Sequence, residues 1–157
     1  MILESPVFLH QESIPAEYTC QGADTSPALR WSKLPNKTQS LVLIVDDPDA
    51  PDPAAPTRTY VHWVVYNIPP TSTHLEKGAG NDDSLLPTGT LLGSNDWGKT
   101  EYGGPCPPIG RHRYFFKLYA LDIVLPDLHQ PNKKALEEAM QGHILEKSEL
   151  IGTYQKS

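Results

Sequence analysis

Residues 41 to 51 read Leu-Val-Leu-Ile-Val-Asp-Asp-Pro-Asp-Ala-Pro, and residues 60 to 67 read Tyr-Val-His-Trp-Val-Val-Tyr-Asn. The first stretch opens as an unbroken aliphatic run, Leu41 to Val45, with polar residues on both sides. That is the pattern of a strand covered on both faces. Pro48 is expected to end it, because proline donates no ladder hydrogen bond and pushes the preceding residue out of the helical region. Pro48 and Pro51 then form a rigid corner that fixes Asp47 and Asp49 at a strand end. The second stretch is a strand by its aromatic and β-branched content. A period of two places His62, Val64 and Tyr66 on one face, and Val61, Trp63 and Val65 on the other. A histidine among such neighbours is desolvated, and its plainest role is a core residue satisfied by one hydrogen bond. The two carboxylates beside it favour a different reading, the floor of a binding site.

The rest of the chain bounds that reading. Sixteen prolines and eleven glycines are spread through 157 residues without a period. This punctuation means many turns and short elements, and so a β-rich fold. With 38% apolar residues, the chain can bury one sizeable core, and residues 1–157 are read as a single domain. A formal charge of −6, with no cluster of Lys and Arg, argues against nucleic acid as a partner. No apolar run approaches the roughly eighteen residues of a transmembrane segment, and the N-terminus lacks the pattern of a signal peptide, so a soluble, cytoplasmic protein is expected. Cys20 and Cys106 are too few and too isolated for a metal knot or a disulfide framework. They read as two reduced thiols packed as small hydrophobes, with a single disulfide left open if the fold brings them together.

Outward from the central stretch, residues 14–20 suggest an edge strand and Leu29 to Trp31 a brief one. Residues 52–59 form a proline-containing surface loop. Residues 69–94 are a long polar excursion, of a length that favours function over simple connection. In the glycine- and proline-rich path of 95–108, Trp97 is a lid or a pocket wall. Arg111, His112 and Arg113 lead into a strand running to Leu121, with His112 and Tyr114 on one face and Arg113 on the other. Asn132 is the N-cap of the one convincing helix, whose stripe is Leu136, Ala139, Met140, His143 and Ile144. Residues 149–154 end the chain as a short strand.

Four motifs in this order, Asp-Pro-Asp-Ala-Pro at 47–51, the strand with His62, Gly-Gly-Pro-Cys-Pro-Pro at 103–108 and Gly-Arg-His-Arg-Tyr at 110–114, resemble the phosphatidylethanolamine-binding protein family. Within it they are similar to the bacterial and archaeal branch, also described as Raf kinase inhibitor-like. The resemblance implies a mainly β, β-rich α+β fold: a large antiparallel sheet packed on a smaller second sheet, with few peripheral helices. It also implies a small surface pocket for phosphate-like or carboxylate groups. Asp47, Asp49 and His62 fall on the first family motif, His112 and Tyr114 on the second, and Pro107, Pro108 and Gly110 on the loop beside them. The chain after residue 146 is too short for the long C-terminal helix of animal members.

A phosphate pocket built on carboxylates requires that their charge be offset, since like charges at about 4 Å repel by several kcal/mol at an effective dielectric near 20. The expectation is that Asp47 or Asp49 accepts a hydrogen bond from His62 or His112 and favours the imidazolium. That ring would then donate to the anion with help from the Tyr114 hydroxyl, while Arg113 pairs elsewhere. The expected function is a small binding protein without cofactor, metal or covalent chemistry, regulating a kinase or protease in one version of the reading. Its partners are a small anionic ligand, a protein partner and, as an open case, a second copy in a homodimer. The alternative is a metal- or acid/base-dependent hydrolase that uses the same Asp/His cluster.

Overall fold

The computed structural model describes residues 1–157, in the order β1 (Ile2–Glu4), β2 (Leu29–Ser32), β3 (Ser40–Ala50), β4 (Arg58–Ile68), β5 (His74–Leu75), β6 (Leu91–Leu92), β7 (Arg111–Leu121), α1 (Lys133–Met140) and β8 (Ile144–Gln155). Strands β6, β4, β3, β7 and β8 form one antiparallel sheet in that order, and β1, β2 and β5 form a second. The aliphatic run is the middle of the central strand. Leu41, Leu43 and Val45 face a core shared with Leu3, Leu29, Trp31 and Leu75 of the small sheet. Val42 and Ile44 face the opposite core, closed by Leu136 and Met140 of α1. A strand covered on both faces has no solvent side, which is why its sequence does not alternate.

Strand β3 does not end at Pro48. Asp47 pairs with Tyr60 and Ala50 with Arg58, so three steps on β3 match two on β4. The extra residue is a bulge, one of the few places in a ladder where proline's missing N–H costs nothing.

A second bulge matters more. Val45 pairs with Trp63 but Asp46 pairs with Val61, so here the additional residue is on β4 and it is His62. The expected alternation is therefore broken. Val61, Val64 and Tyr66 face the helix side, whereas the His62 ring lies 5.3 Å from that of Tyr114, on the side of Trp63 and Val65. An inserted residue shifts the phase of every side chain beyond it.

Other expectations shift too. Residues 14–20 form no edge strand: a single bridge joins Ser13 to Thr153, and Ala16–Tyr18 is a 3-10 turn. Asn132 caps α1 by accepting from Ala135 N, as its residue type predicts. The helix stops at Met140, and Gly142 takes a positive φ of 80°, so His143 and Ile144 leave the stripe. The last strand is longer than the sequence suggests, pairing with β7 from Ile144 to Gln155. Cys20 and Cys106 are not reduced thiols but a disulfide across 86 residues. No helix is long and apolar enough to cross a membrane.

Candidate functional site

The two bulges and the β7 entrance lie at one end of the large sheet. There a pocket of about 400 Å³ is lined by Asp47, Ala50, Pro51, Arg58, Tyr60, His62, Trp97, Cys106, Pro107, Pro108, His112 and Tyr114. Six of the eight expected site residues therefore converge on it. Asp49 and Gly110 do not line it. Gly110 has a φ of 73° in the turn that brings the chain from Pro108 into β7, a left-handed conformation that suits glycine. A larger groove of about 670 Å³ beside Thr88 and Gln130 is more open. Its charged residues, Asp83, Asp127 and His129, are exposed.

Every carboxylate near the pocket has its own basic partner. Asp47 Oδ2 accepts from His112 Nδ1 at 2.6 Å, and its Oδ1 accepts from Asp49 N at 2.7 Å. His112 is 1% exposed, and its Nε2 lies 3.0 Å from Pro51 O and 2.9 Å from Ile109 O. Both ring nitrogens are thus engaged within the protein. Of the two carboxylates expected to meet a histidine, Asp47 does so and Asp49 does not. Asp49 accepts from the backbone N–H and the guanidinium of Arg113 at 2.9 to 3.0 Å, and that guanidinium holds its carboxyl below the usual carboxylate range. The adjacent Asp46 points to the helix side and accepts from Lys117 Nζ at 3.0 Å and Lys133 Nζ at 2.7 Å.

His62 is placed differently from the expectation. Its Nδ1 lies 2.7 Å from Gly103 O, a carbonyl that can only accept, so the proton is on Nδ1. Burial pushes its pKa below the ordinary histidine value, because desolvation disfavours the charged ring. The neutral ring leaves the Nε2 lone pair without a protein partner. The rings of Tyr60, Trp97 and Tyr114 surround it edge-on at 5.4, 5.1 and 5.3 Å. Tyr114 is buried, and burial, followed by the charges of Asp47 and Asp49, pushes its hydroxyl well above the ordinary tyrosine value. It keeps its proton and remains a donor.

The loop wall is anchored by residues 18–24. Tyr102 OH donates to Tyr18 O at 2.7 Å, Gly104 N to Asp24 Oδ1 at 2.9 Å and Cys20 N to Pro105 O at 3.1 Å. The disulfide adds a covalent tie at the same place. At the rim, Arg58 covers the Tyr60 ring, 4.8 Å from its centroid, and its Nη2 donates to Asp96 Oδ2 at 3.1 Å.

Arg58, Tyr60 and Ala50 line the pocket without having been expected there, and Pro51 and Cys106 line it although they were expected only as part of the corner and as a thiol in the 103–108 motif. Tyr60 could have been expected, since it stands two residues before His62 in a strand. Cys106 adjoins the expected Pro107 in the 103–108 motif, whereas Arg58 offers no such signal. No group of three or more His, Cys, Asp or Glu side chains is arranged to hold a metal ion.

Comparison with known proteins follows from this geometry. The family model described as phosphatidylethanolamine-binding protein matches residues 4–155. A UPF0098 protein of Methanothermobacter thermautotrophicus is 47% identical over 156 residues, covering 99% of each chain. One of Chlamydia pneumoniae is 46% identical over 157 residues, covering 100% of each. Among solved structures, a putative phosphatidylethanolamine-binding protein homolog of Chlamydia trachomatis aligns with a TM-score of 0.88 at 42% identity, covering 99% of this chain and 97% of that one. YbcL of E. coli also aligns with a TM-score of 0.88, at 32% identity, covering 99% and 98%.

Proposed function

The chain belongs to the phosphatidylethanolamine-binding protein family, and from that premise we propose that residues 1–157 act as one binding domain for a small anionic group, phosphate-like or carboxylate. The observation that carries the reading is the pairing of Asp47 with His112, beside the Tyr114 hydroxyl. With Asp47, Asp49 and Asp96 each paired with a basic side chain, the carboxylates are offset against the charge of an anion. The Tyr114 O–H and the half-exposed Arg58 guanidinium are among the donors that line the pocket. The wall of Pro107, Pro108 and Trp97 keeps bulk water off one side, which strengthens those bonds.

The ligand-binding residues in this proposal are Asp47, His62, Pro107, Pro108, His112 and Tyr114, with Asp49 and Gly110 supporting the corner and the loop. Isothermal titration of inorganic phosphate and of acetate into the wild type and Tyr114→Phe tests it. Saturable binding that weakens about tenfold in the variant, the worth of one hydrogen bond to a charged group, supports the reading. No saturable binding of either anion to the wild type overturns it.

The hydrolase alternative is favoured by one feature, the unpartnered Nε2 lone pair of His62, which has the form of a general base. A phosphatase and esterase screen of wild type against His62→Asn decides between the two. Cytoplasmic residence and a protein partner or homodimer remain part of the proposal. Light scattering after size exclusion tests self-association, and thiol alkylation on lysis tests the compartment, since disulfides persist chiefly where the surroundings are oxidising.

A further inference from the structure

We infer that the pocket selects oxyanions that carry their own hydrogen-bond donor, such as a singly protonated phosphate monoester, over fully deprotonated or proton-free ones. This rests on the anion-binding reading above and narrows it. The argument is a census of the donors and acceptors that face the pocket. His62 spends its one N–H on Gly103 O at 2.7 Å, so what it turns to a ligand is the bare lone pair of Nε2. His112 turns no N–H to a ligand, since its Nδ1 lies against Asp47 Oδ2 at 2.6 Å and its Nε2 against the carbonyls of Pro51 and Ile109 at 3.0 and 2.9 Å. It has none left to give. The inner wall therefore offers the Tyr114 hydroxyl as a donor beside one acceptor that lacks a proton and one carboxylate, with Tyr60, Trp97 and Arg58 as the other donor-bearing residues that line the pocket.

A dianion placed there meets the His62 lone pair with nothing to donate to it. Lone pairs brought face to face in a buried site lose the hydration of both partners and gain no bond. A monoanion with one O–H satisfies the same wall. Its hydroxyl donates to His62 Nε2, and another of its oxygens accepts from Tyr114. The two ring centroids are 5.3 Å apart, and both residues line the same pocket.

The groups that bear on His62 act in both directions. Asp47 and Asp46 from β3 and Asp96 from the loop after β6 raise its proton affinity, while its burial lowers it more. Tyr60, Trp97 and Tyr114 close over the ring without contributing charge. Arg58 at the rim is the remaining cation lining the pocket, shared with Asp96.

The test compares methyl phosphate, methyl sulfate and dimethyl phosphate by calorimetric titration into the wild-type protein between about pH 5 and about pH 8. Methyl phosphate gives up its second proton near pH 6; the other two carry a single charge and no proton throughout. The expected result at about pH 5 is that methyl phosphate binds at least about tenfold more tightly than either of the others, the worth of one bond to a charged group. Above about pH 6.5 its affinity then falls by about tenfold per pH unit, following its monoanion fraction. His62→Phe, which keeps an aromatic ring and removes the acceptor, should lose the preference for methyl phosphate over methyl sulfate. Methyl sulfate or dimethyl phosphate binding as tightly as methyl phosphate at about pH 5 overturns the inference while leaving the anion pocket in place. So does an affinity for methyl phosphate that holds or rises above about pH 6.5. Failure of all three to bind overturns the anion pocket itself.

Discussion

Gly103 and His62 hold each other in both directions: Gly103 N donates to His62 O at 3.2 Å, and His62 Nδ1 donates to Gly103 O at 2.7 Å. The exchange ties the loop wall to the bulged residue of β4 and sets the imidazole tautomer. It also leaves no room. A Cβ on Gly103 would come within 2.3 Å of Trp97 Cζ3, much closer than atoms tolerate. Gly103→Ala is therefore expected to displace Trp97 from the pocket and to lower ligand affinity at least tenfold, by about 1.4 kcal/mol or more. Quenching or a shift of the Trp97 fluorescence, with Trp97→Phe as control, reads the displacement directly.

The pair of Asp47 and His112 is buried on both sides, with side chains 4% and 1% exposed. Removing one member of such a pair strands the other in a medium that solvates it poorly. Asp47→Ala is expected to cost about 3–5 kcal/mol in urea denaturation. Asp49→Ala should cost clearly less, because the Arg113 guanidinium it releases is half exposed and can turn to water. Equal losses in the two variants would show that His112 is not held as a charged partner.

Burial lowers the pKa of His62 in the folded protein. Between the folded value and the unfolded value of about 6.5, the unfolded chain binds the extra proton. Stability is then full above pH 6.5 and declines as pH falls below it, by at most about 1.4 kcal/mol per pH unit for one site. Asp49, lowered by Arg113, adds its own loss only below its unfolded value of about 3.9. In His62→Asn the decline between about pH 6.5 and pH 5 should flatten, while the loss below pH 4 persists. Thermal melts across this range measure both.

The disulfide closes a loop across 86 residues. In the chain-entropy view this stabilises by about 4–5 kcal/mol, with measured values spread over about 2–5. Reduction, or the pair Cys20→Ser and Cys106→Ser, should lower the melting temperature by many degrees. It should also raise amide exchange first in residues 103–108, where the loop otherwise rests on the contacts to Tyr18, Cys20 and Asp24.

Much of this architecture is legible in the chain because it is local. The aliphatic run at Leu41 to Val45 announces a doubly covered strand, Asn132 announces a helix start, and Gly110 marks the turn before β7. What was hidden depends on pairing between distant segments. That Asp49 belongs to Arg113, and Asp46 to Lys117 of β7 and Lys133 of α1, follows from how distant elements pack, which no single stretch encodes. The cysteines gave no sign of their bond, since 86 residues say nothing about distance in space. His62 was placed on the wrong face because alternation is counted on one strand, while a bulge exists only as a mismatch between two.

That mismatch has a consequence for how the site is inherited. The imidazole reaches the pocket because of a count, one residue more on β4 than on β3 between Asp46 and Val45, and not because of anything in its own chemistry. Deleting a single neighbour could keep every pocket residue in the gene and still turn the ring to the helix side. A scan of tolerated substitutions along β4 would show the two-residue rhythm skip a beat at position 62. The site is addressed by spacing, so insertions and deletions, rather than point changes, are the mutations to which it is most exposed.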